Sequence, residues 1–330
     1  MRAKFSQHDT SAGIECDSSS SGTITYNIIT ENKGDGIVSA GSDPSIISNT
    51  IRGNKGIGIY CYSNSLSIII NNVIEKNYYS GIYCYSSFPV ITNNTIIENK
   101  DGINCSWNSS PSLTNNIIAN NTKYGISEGS INSDPLPNYN CFFNNDSGDY
   151  YDYDTQKIET VEWLNSAGGY TGNIVSNPLF VDSGRNNYSL TPNSPCIDKG
   201  LNTVIGIFST DKNGNSRIFD GDKDGTSTVD IGAYEFQGLS PALLKEVIFV
   251  FPNPCRISQS NIITFKKLTP QATIRIFNIA REEIAKIEHN NGTDEERWIM
   301  PNSLASGVYL YLITNNQKDT PVKGKIGIIK

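Results

Sequence analysis

Histidine occurs only twice in the 330 residues, at His8 and His289, and methionine is equally scarce. Two imidazoles so far apart, in what the composition suggests are different domains, argue against a Ser–His or Cys–His nucleophilic pair. The seven cysteines include no Cys-x-x-Cys spacing, which argues against a structural zinc site. No apolar run approaches the roughly 18 residues that a membrane-spanning helix requires. Positive charge is also short: 26 Lys and Arg against 33 Asp and Glu give a net charge of −7, the opposite of the basic footprint of a nucleic-acid binder. At the N-terminus, Arg2 and Lys4 are followed by the polar Phe5-Ser6-Gln7-His8-Asp9, without the apolar core of a secretory leader.

What the chain has in excess is asparagine. There are 39, of which 22 precede residue 146. The short amide competes for backbone hydrogen bonds, so a segment this rich in Asn forms helix poorly and suits turns and stacked ladders. Charge is unevenly spread: net −2 over residues 1–130, −9 over 131–240 and +4 over 241–330. The change of sign near residue 240 marks a domain boundary, giving domains 1–240 and 241–330.

The first domain repeats. Gly-Ile pairs begin at Gly13, Gly36, Gly58, Gly81, Gly102 and Gly125, with spacings of 23, 22, 23, 21 and 23 residues. Asn27, Asn49, Asn72, Asn94, Asn116 and Asn140 keep the same beat, and so do Pro44-Ser45-Ile46, Leu66-Ser67-Ile68, Pro89-Val90-Ile91 and Pro111-Ser112-Leu113. Each repeat holds about three short β-type runs separated by Asn, Gly, Ser or Pro, with no helical period. Such a coil cannot bury its own apolar face, but stacked coils bury a continuous core, which is a parallel β-helix. At the parallel-strand spacing, about six coils give a rod of roughly 30 Å. Alternation then points Ile14, Ile37, Ile59, Ile82, Ile103 and Ile126 inward as one column, with Cys16, Ser39, Cys61, Cys84 and Cys105 as a second. The recurring Asn is expected at a bend, its amide bonded to those above and below. The cysteine column reads either as small buried thiols or as an inter-coil bridge such as Cys61–Cys84; in-register side chains point the same way, which suits a bridge badly.

On these markers residues 13–145 resemble the right-handed parallel β-helix repeats of the pectate-lyase-like superfamily, whose members bind or cleave polysaccharide. Residues 137–236 lose the period but keep phrases such as Asn177-Pro178-Leu179-Phe180-Val181-Asp182, Ser194-Pro195-Cys196-Ile197-Asp198 and Val229-Asp230-Ile231-Gly232-Ala233-Tyr234-Glu235-Phe236. These resemble the closing region known as choice-of-anchor Q, and imply last irregular coils followed by a cap over the open end. Within it, Asp220-Gly221-Asp222-Lys223-Asp224-Gly225-Thr226 followed by Asp230 alternates carboxylates around a tight turn, as a calcium loop does. Asp220, Asp222, Asp224 and Asp230 are the expected side-chain ligands of Ca2+ and Thr226 a carbonyl ligand; Asp230 stands one position short of the EF-hand spacing.

Beyond Pro241 the pattern alternates as strands, in Ile262-Ile263-Thr264-Phe265, Ala272–Ile279, Leu304–Ile313 and Lys323–Lys330. The pattern predicts a small antiparallel β-sandwich of about six or seven strands. From about residue 249 it resembles the C-terminal sorting domain of type IX secretion cargo (the Por secretion tail), an Ig-like sandwich. It departs at Arg281, where that family usually has Gly. The overall expectation is therefore an all-β chain: a right-handed parallel β-helix followed by a small Ig-like sandwich. The resemblance implies an extracellular or outer cell-surface protein that meets the type IX machinery. Export requires a leader that residues 1–30 do not show, so the expectation is a chain truncated at its N-terminus.

For function, Tyr60 over Tyr83 and Tyr62 over Tyr85, with Trp107 one coil further, form an outward aromatic ladder on which a sugar ring could stack. A lyase of this fold would need a Lys or Arg base beside a calcium-bound carboxylate, and a glycosidase two carboxylates across a cleft. Asp35, Asp101, Glu31, Glu75, Glu98, Lys33, Lys55, Lys100 and Arg52 are the candidates, but most fall in turns or at strand ends. Arg52 and Glu75 occupy neighbouring rungs and read as a surface ion pair. The leading expectation is a secreted polysaccharide-binding β-helix protein, with a polysaccharide lyase or glycosidase and a structural or adhesive spacer as alternatives.

Overall fold

The computed structural model describes residues 12–17, 19–166, 168–204, 209–222, 224–238, 248–268, 272–289, 294–301, 303–315 and 321–330. The expectations about the segment before residue 12 lie outside them. The chain divides into two compact units, Met1–Gly238 and Leu239–Lys330.

In the first unit each coil contributes three short strands, as in Ile59–Tyr62, Ile68–Ile70 and Val73–Glu75. Strands of three or four residues are too short to stand alone. Here each pairs in parallel with its counterpart in the neighbouring coil, building three sheets along a right-handed β-helix of six complete stacked coils and a seventh, incomplete one. Register is strict: Ile14, Ile37, Ile59, Ile82, Ile103 and Ile126 form one column. From Ile37 onward every member is wholly buried. Ile24, Ile46, Ile69, Ile91 and Leu113 line the second sheet inside, and Ile29, Ile51, Ile74, Ile96, Ile118 and Phe142 the third, in one core. The column Cys16, Ser39, Cys61, Cys84, Cys105 also points inward, as alternation requires. All seven cysteines are free and buried, so the column is packing and not a bridge.

Two asparagine ladders fix the corners. Between the second and third sheets, each Asn takes the backbone N–H and the side-chain amide of the Asn in the preceding coil. Asn72 N donates to Asn94 Oδ1 at 2.9 Å and Asn72 Nδ2 to the same oxygen at 3.0 Å. This is the expected ladder, running from Asn27 through Asn140 to Asn173. A second, unforeseen one runs through Asn32, Asn54, Asn77, Asn99, Asn121 and Asn145 at the corner before the first sheet. The recurrent glycine belongs to that corner: a Cβ at Gly81 would lie 2.7 Å from Ile96 Cγ2, 2.8 Å from Gly102 O and 2.9 Å from Asn99 Nδ2.

Residues 137–236 correct the sequence reading. Its first part does supply the last coil and the end cap: Ile174–Val175 is the final rung of the third sheet, and the helix Val161–Ser166 inserts Val161 and Leu164 into the same core as Phe142 and Tyr150. After that rung the chain does not continue the stack. It runs along the outside of the third sheet, where Tyr188, Leu190, Cys196, Ile197, Ile231 and Ala233 cover Val73, Ile97, Ile117, Ala119 and Cys141. The reason is in those outer positions: from the third coil on they are largely apolar, and a sheet with apolar residues on both faces must be covered on both.

Polar contacts register this lateral cover on the rod. Gly232 N donates to Asn115 O at 2.8 Å, Asn93 Nδ2 to Asp230 O at 2.9 Å, and Leu201 N to Asn115 Oδ1 at 2.8 Å. Gly232, at φ +107°, passes so close that a Cβ would lie 2.5 Å from Ile117 Cδ1. Arg217, 1% exposed, bonds Asn71 Oδ1 at 2.6 Å and Gly232 O at 2.9 Å and pairs with Glu235 at 3.4 Å.

In the second unit a three-stranded sheet (Phe249–Phe251, Ile262–Lys266, Glu295–Ile299) and a five-stranded sheet (Cys255–Arg256, Val322–Ile329, Gly307–Asn315, Ala272–Phe277, Glu283–His289) share one core. That core includes Phe265 and Trp298 from the first sheet and Ile274, Ile313 and Ile326 from the second. The described pairs are antiparallel except Cys255–Arg256 with Val322–Ile329, which is parallel. Arg281 sits at φ +66° in the turn closed by Asn278 and Glu282, the left-handed conformation that favours glycine.

Candidate functional site

The first sheet carries the aromatic face, because alternation that sends Ile59, Cys61, Ile82 and Cys84 inward sends Tyr60, Tyr62, Tyr83 and Tyr85 outward. In-register pairing sets Tyr60 on Tyr83, with centroids 5.2 Å apart and planes 11° from parallel. Tyr62 lies 4.9 Å from Tyr60, Tyr85 6.3 Å from Tyr83, and Trp107 5.5 Å from Tyr85. All five predicted rings therefore form one contiguous surface. The four tyrosines are half-buried by one another, while Trp107 is 60% exposed. Burial, and then the neighbouring Tyr83, push the Tyr60 phenol up to about 12, so that hydroxyl stays neutral.

Trp107 sits in a left-handed turn. The turn leaving the first sheet uses such a residue in four coils: Gly41, Ser63, Ser86 and Trp107, at φ +53°, +57°, +45° and +57°. Three of the four are Gly or Ser; a bulky residue in this conformation is uncommon, although Tyr26 and Tyr139 adopt it at the next corner, at φ +54° and +53°. Aromatic residues that the sequence reading missed lie close by in the chain. Tyr124 stacks on Tyr151 at 4.9 Å, with Lys123 Nζ 4.8 Å from the Tyr124 ring, and Lys100 Nζ lies 5.8 Å from the ring of the exposed Tyr79. The signal was available in Tyr78-Tyr79 just before the Gly81 pair, at a corner where other coils carry Lys33-Gly34, Lys55-Gly56 and Thr122-Lys123.

The candidate acids and bases are structural where the contacts are defined. Asp35 Oδ1 accepts from Ile57 N at 2.6 Å, and Asp101 Oδ1 from Tyr124 N at 3.4 Å; each ties its turn to the next coil. Burial raises both carboxyls. Glu75 is not a surface ion-pair partner of Arg52. It is wholly buried under the lateral cover, where Tyr188 Oη donates to Glu75 Oε2 at 2.6 Å and Lys76 Nζ lies 3.3 Å away. A further carboxylate, Glu128, continues the inward cysteine column beside Cys105. It accepts from Tyr150 Oη at 2.5 Å and Tyr153 N at 2.9 Å, and burial pushes it up to about 7.

The acidic loop is rearranged relative to its spacing. Asp220 and Asp222 come together with Asp198, which the sequence reading had not included, and one oxygen from each lies within 4.8 Å of the others. Asp224 and Asp230 do not join them. Asp224 Oδ1 accepts from Thr226 N at 2.7 Å in a local turn. Asp230 is wholly buried and has both oxygens engaged, accepting from Asp198 N at 2.8 Å and from Phe236 N at 2.5 Å. Its role is to hold the two arms of the cover together, so its carboxylate is not free to turn toward the loop.

Residues 4–139 match the family described as right handed beta helix region, and residues 249–328 the family described as secretion system C-terminal sorting domain. The chain thus carries a right-handed β-helix and a type IX sorting tail, and is a secreted or cell-surface protein. No helix among the described residues is long and apolar enough to cross a membrane. No curated protein matches the chain. Among solved structures it is similar to PorZ, an essential surface component of the type-IX secretion system of Porphyromonas gingivalis, at 20% identity over 28% of this chain and 13% of that one, with a TM-score of 0.26. It is also similar to the enzymatically active domain of tailspike protein 2 of bacteriophage CBA120, at 12% identity over 99% of this chain and 59% of that one, with a TM-score of 0.25.

Proposed function

We propose that this secreted or surface-anchored β-helix protein binds polysaccharide along the outer face of its first sheet, through Tyr60, Tyr62, Tyr83, Tyr85 and Trp107. The observation that carries the reading is the five-ring surface itself, continuous across three coils and ending on an exposed indole in a turn position that three other coils fill with Gly or Ser. Flat rings with polar edges offer the apolar faces of sugar rings a large contact area while their hydroxyls reach sugar hydroxyls. A rod of in-register coils repeats that contact along its axis, as a chain-like ligand requires. The sorting tail supplies delivery to the cell exterior, where polysaccharide is met.

The next coil supplies the conservative test. In register with Tyr83 and Tyr85 stand Asn104 and Ser106, and the turn position of Trp107 is Ser in two other coils. Tyr83→Asn with Tyr85→Ser, and separately Trp107→Ser, therefore remove rings without asking the fold for anything it does not already contain. On a glycan array, and by affinity electrophoresis against the polysaccharides it selects, each variant is expected to bind at least about tenfold more weakly, the loss of one good aromatic contact. Undiminished binding in both variants sinks the reading.

A further inference from the structure

The acidic loop lies away from the aromatic face and plays no part in the reading above. Its three clustered carboxylates are held in place by the backbone. Asp198 Oδ2 accepts from Asp222 N at 2.7 Å, Asp220 Oδ2 from Gly225 N at 3.1 Å, and Asp222 Oδ1 from Asp224 N at 3.1 Å. In two of the three the other oxygen is left over: Asp198 Oδ1 and Asp220 Oδ1 are both shielded from solvent and have no hydrogen-bond partner. Asp198 as a residue is 8% exposed. An unpaired buried acceptor is costly, more so when charged, and here two stand together among three like charges. Among the described residues the counter-charge is Lys199, whose Nζ is 3.9 Å from Asp222 Oδ2 and half exposed.

We propose that Asp198, Asp220 and Asp222 bind a calcium ion that clamps the two arms of the lateral cover to each other. The donors are all carboxylate oxygen, which selects a hard cation and excludes the nitrogen- and sulfur-seeking metals. Oxygens bound to one calcium at about 2.4 Å lie no more than about 4.8 Å apart, as these do. Three carboxylates on an irregular loop leave the rest of the shell to carbonyls and water, which calcium accepts more readily than the octahedral magnesium ion. The ligands come from two separated stretches of the cover. Asp198 follows Ile197, which is packed in the core over the third sheet, and Asp220 and Asp222 lie on the loop leading back to Ile231. Neutralising the cluster relieves the repulsion that opposes their approach and fixes the strip that docks on Asn93 and Asn115.

The test is calorimetric titration of the chelator-treated full-length chain with calcium chloride. One saturable site is expected, with Kd of about 10⁻⁴–10⁻³ M, the range of extracellular calcium modules. Asp220→Asn keeps an acceptor for Gly225 N and is expected to weaken binding at least about tenfold, with Asp198→Asn behaving alike; Asp224→Asn, outside the cluster, binds as the parent does. Calcium at 5–10 times Kd should raise the melting temperature of the parent by a few degrees, and that of Asp220→Asn by none. A folded parent, judged by circular dichroism, that gives no saturable heat overturns the proposal. So does a folded Asp220→Asn that binds unchanged, or an Asp224→Asn that loses binding as fully.

Discussion

Glu128 shows how one residue departs from a repeat and what that costs. The column above it is thiol and hydroxyl, small groups that need no charge satisfied. Glu128 puts a carboxyl into the same inward position at the last coils, where Tyr150 and Tyr153 donate to it. Burial outweighs those donors and lifts its pKa from the ordinary 4.5 to about 7. Between those values the folded chain holds a proton that the unfolded chain has released, so stability falls as pH rises through the window. Urea midpoints of the β-helical unit are therefore expected to drop from pH 5 to pH 7.5, with Glu128 contributing about 2–3 kcal/mol to the loss. Glu128→Gln should flatten that share of the slope, leaving the part owed to the other raised carboxyls of the unit, among them Asp35, Asp101, Asp149, Asp230 and Glu235. An unchanged slope in the variant would refute the assignment. Position 128 was legible in the sequence only as the end of a column; that its carboxyl is buried and receives hydrogen bonds from Tyr150 and Tyr153 depends on the irregular coil that follows.

At the scale of the element, the asparagine ladders do the work that long strands do elsewhere. Strands of three residues make few cross-strand bonds, so corners must be held by side chains. Asn94 is the middle of its ladder. It receives Asn72 N and Nδ2 at 2.9 and 3.0 Å, and donates to Ile69 O at 2.8 Å and to Asn116 Oδ1 from its backbone and side chain at 2.9 and 3.1 Å. Asn94→Ala leaves a buried N–H, an amide and a carbonyl unmatched, for an expected loss of at least about 3 kcal/mol in denaturant unfolding. Exposed Asn193, which caps nothing in the rod, should tolerate the same change within about 0.5 kcal/mol. Equal tolerance at both positions would show that the ladder is decorative. The first ladder was readable because its Asn keeps the beat of the repeat; the second keeps it as well, but was hidden among the many other asparagines of the same turns. The lateral cover had a signal too: Val73-Ile74-Glu75, Thr95-Ile96-Ile97 and Ile117-Ile118-Ala119 lose the alternation of a half-exposed strand, which Thr50-Ile51-Arg52 keeps.

For the molecule as a whole, two separate cores imply two separate foldings. One is the repeat core with its covered flank, and the other the core of the tail. Calorimetry of the full chain is expected to show two transitions, and a chain ending at Gly238 should keep the first unchanged. The same truncation removes the sorting domain, so it should hold the protein inside the cell, where fractionation and immunoblotting would find it instead of at the surface or in the medium. A truncated chain that still reaches the exterior would mean that residues 249–328 are not the export signal.

The sequence by itself determined the stack, the inward columns and the aromatic face, because a period of about 22 residues combined with alternation leaves each side chain one direction to point. It also marked the tail, through strand patterns and a change in charge. What tertiary structure alone decided was everything without a period: that Tyr188, Ile197 and Ile231 lie alongside the third sheet and do not close its end, that Glu75 is buried beneath them, and that Asp198 replaces Asp230 beside Asp220 and Asp222. Residues 22 and 32 positions apart are equally silent in a sequence with no repeat to index them; only the folding-back of the cover, driven by the apolar outer face it must hide, brings the right one into contact.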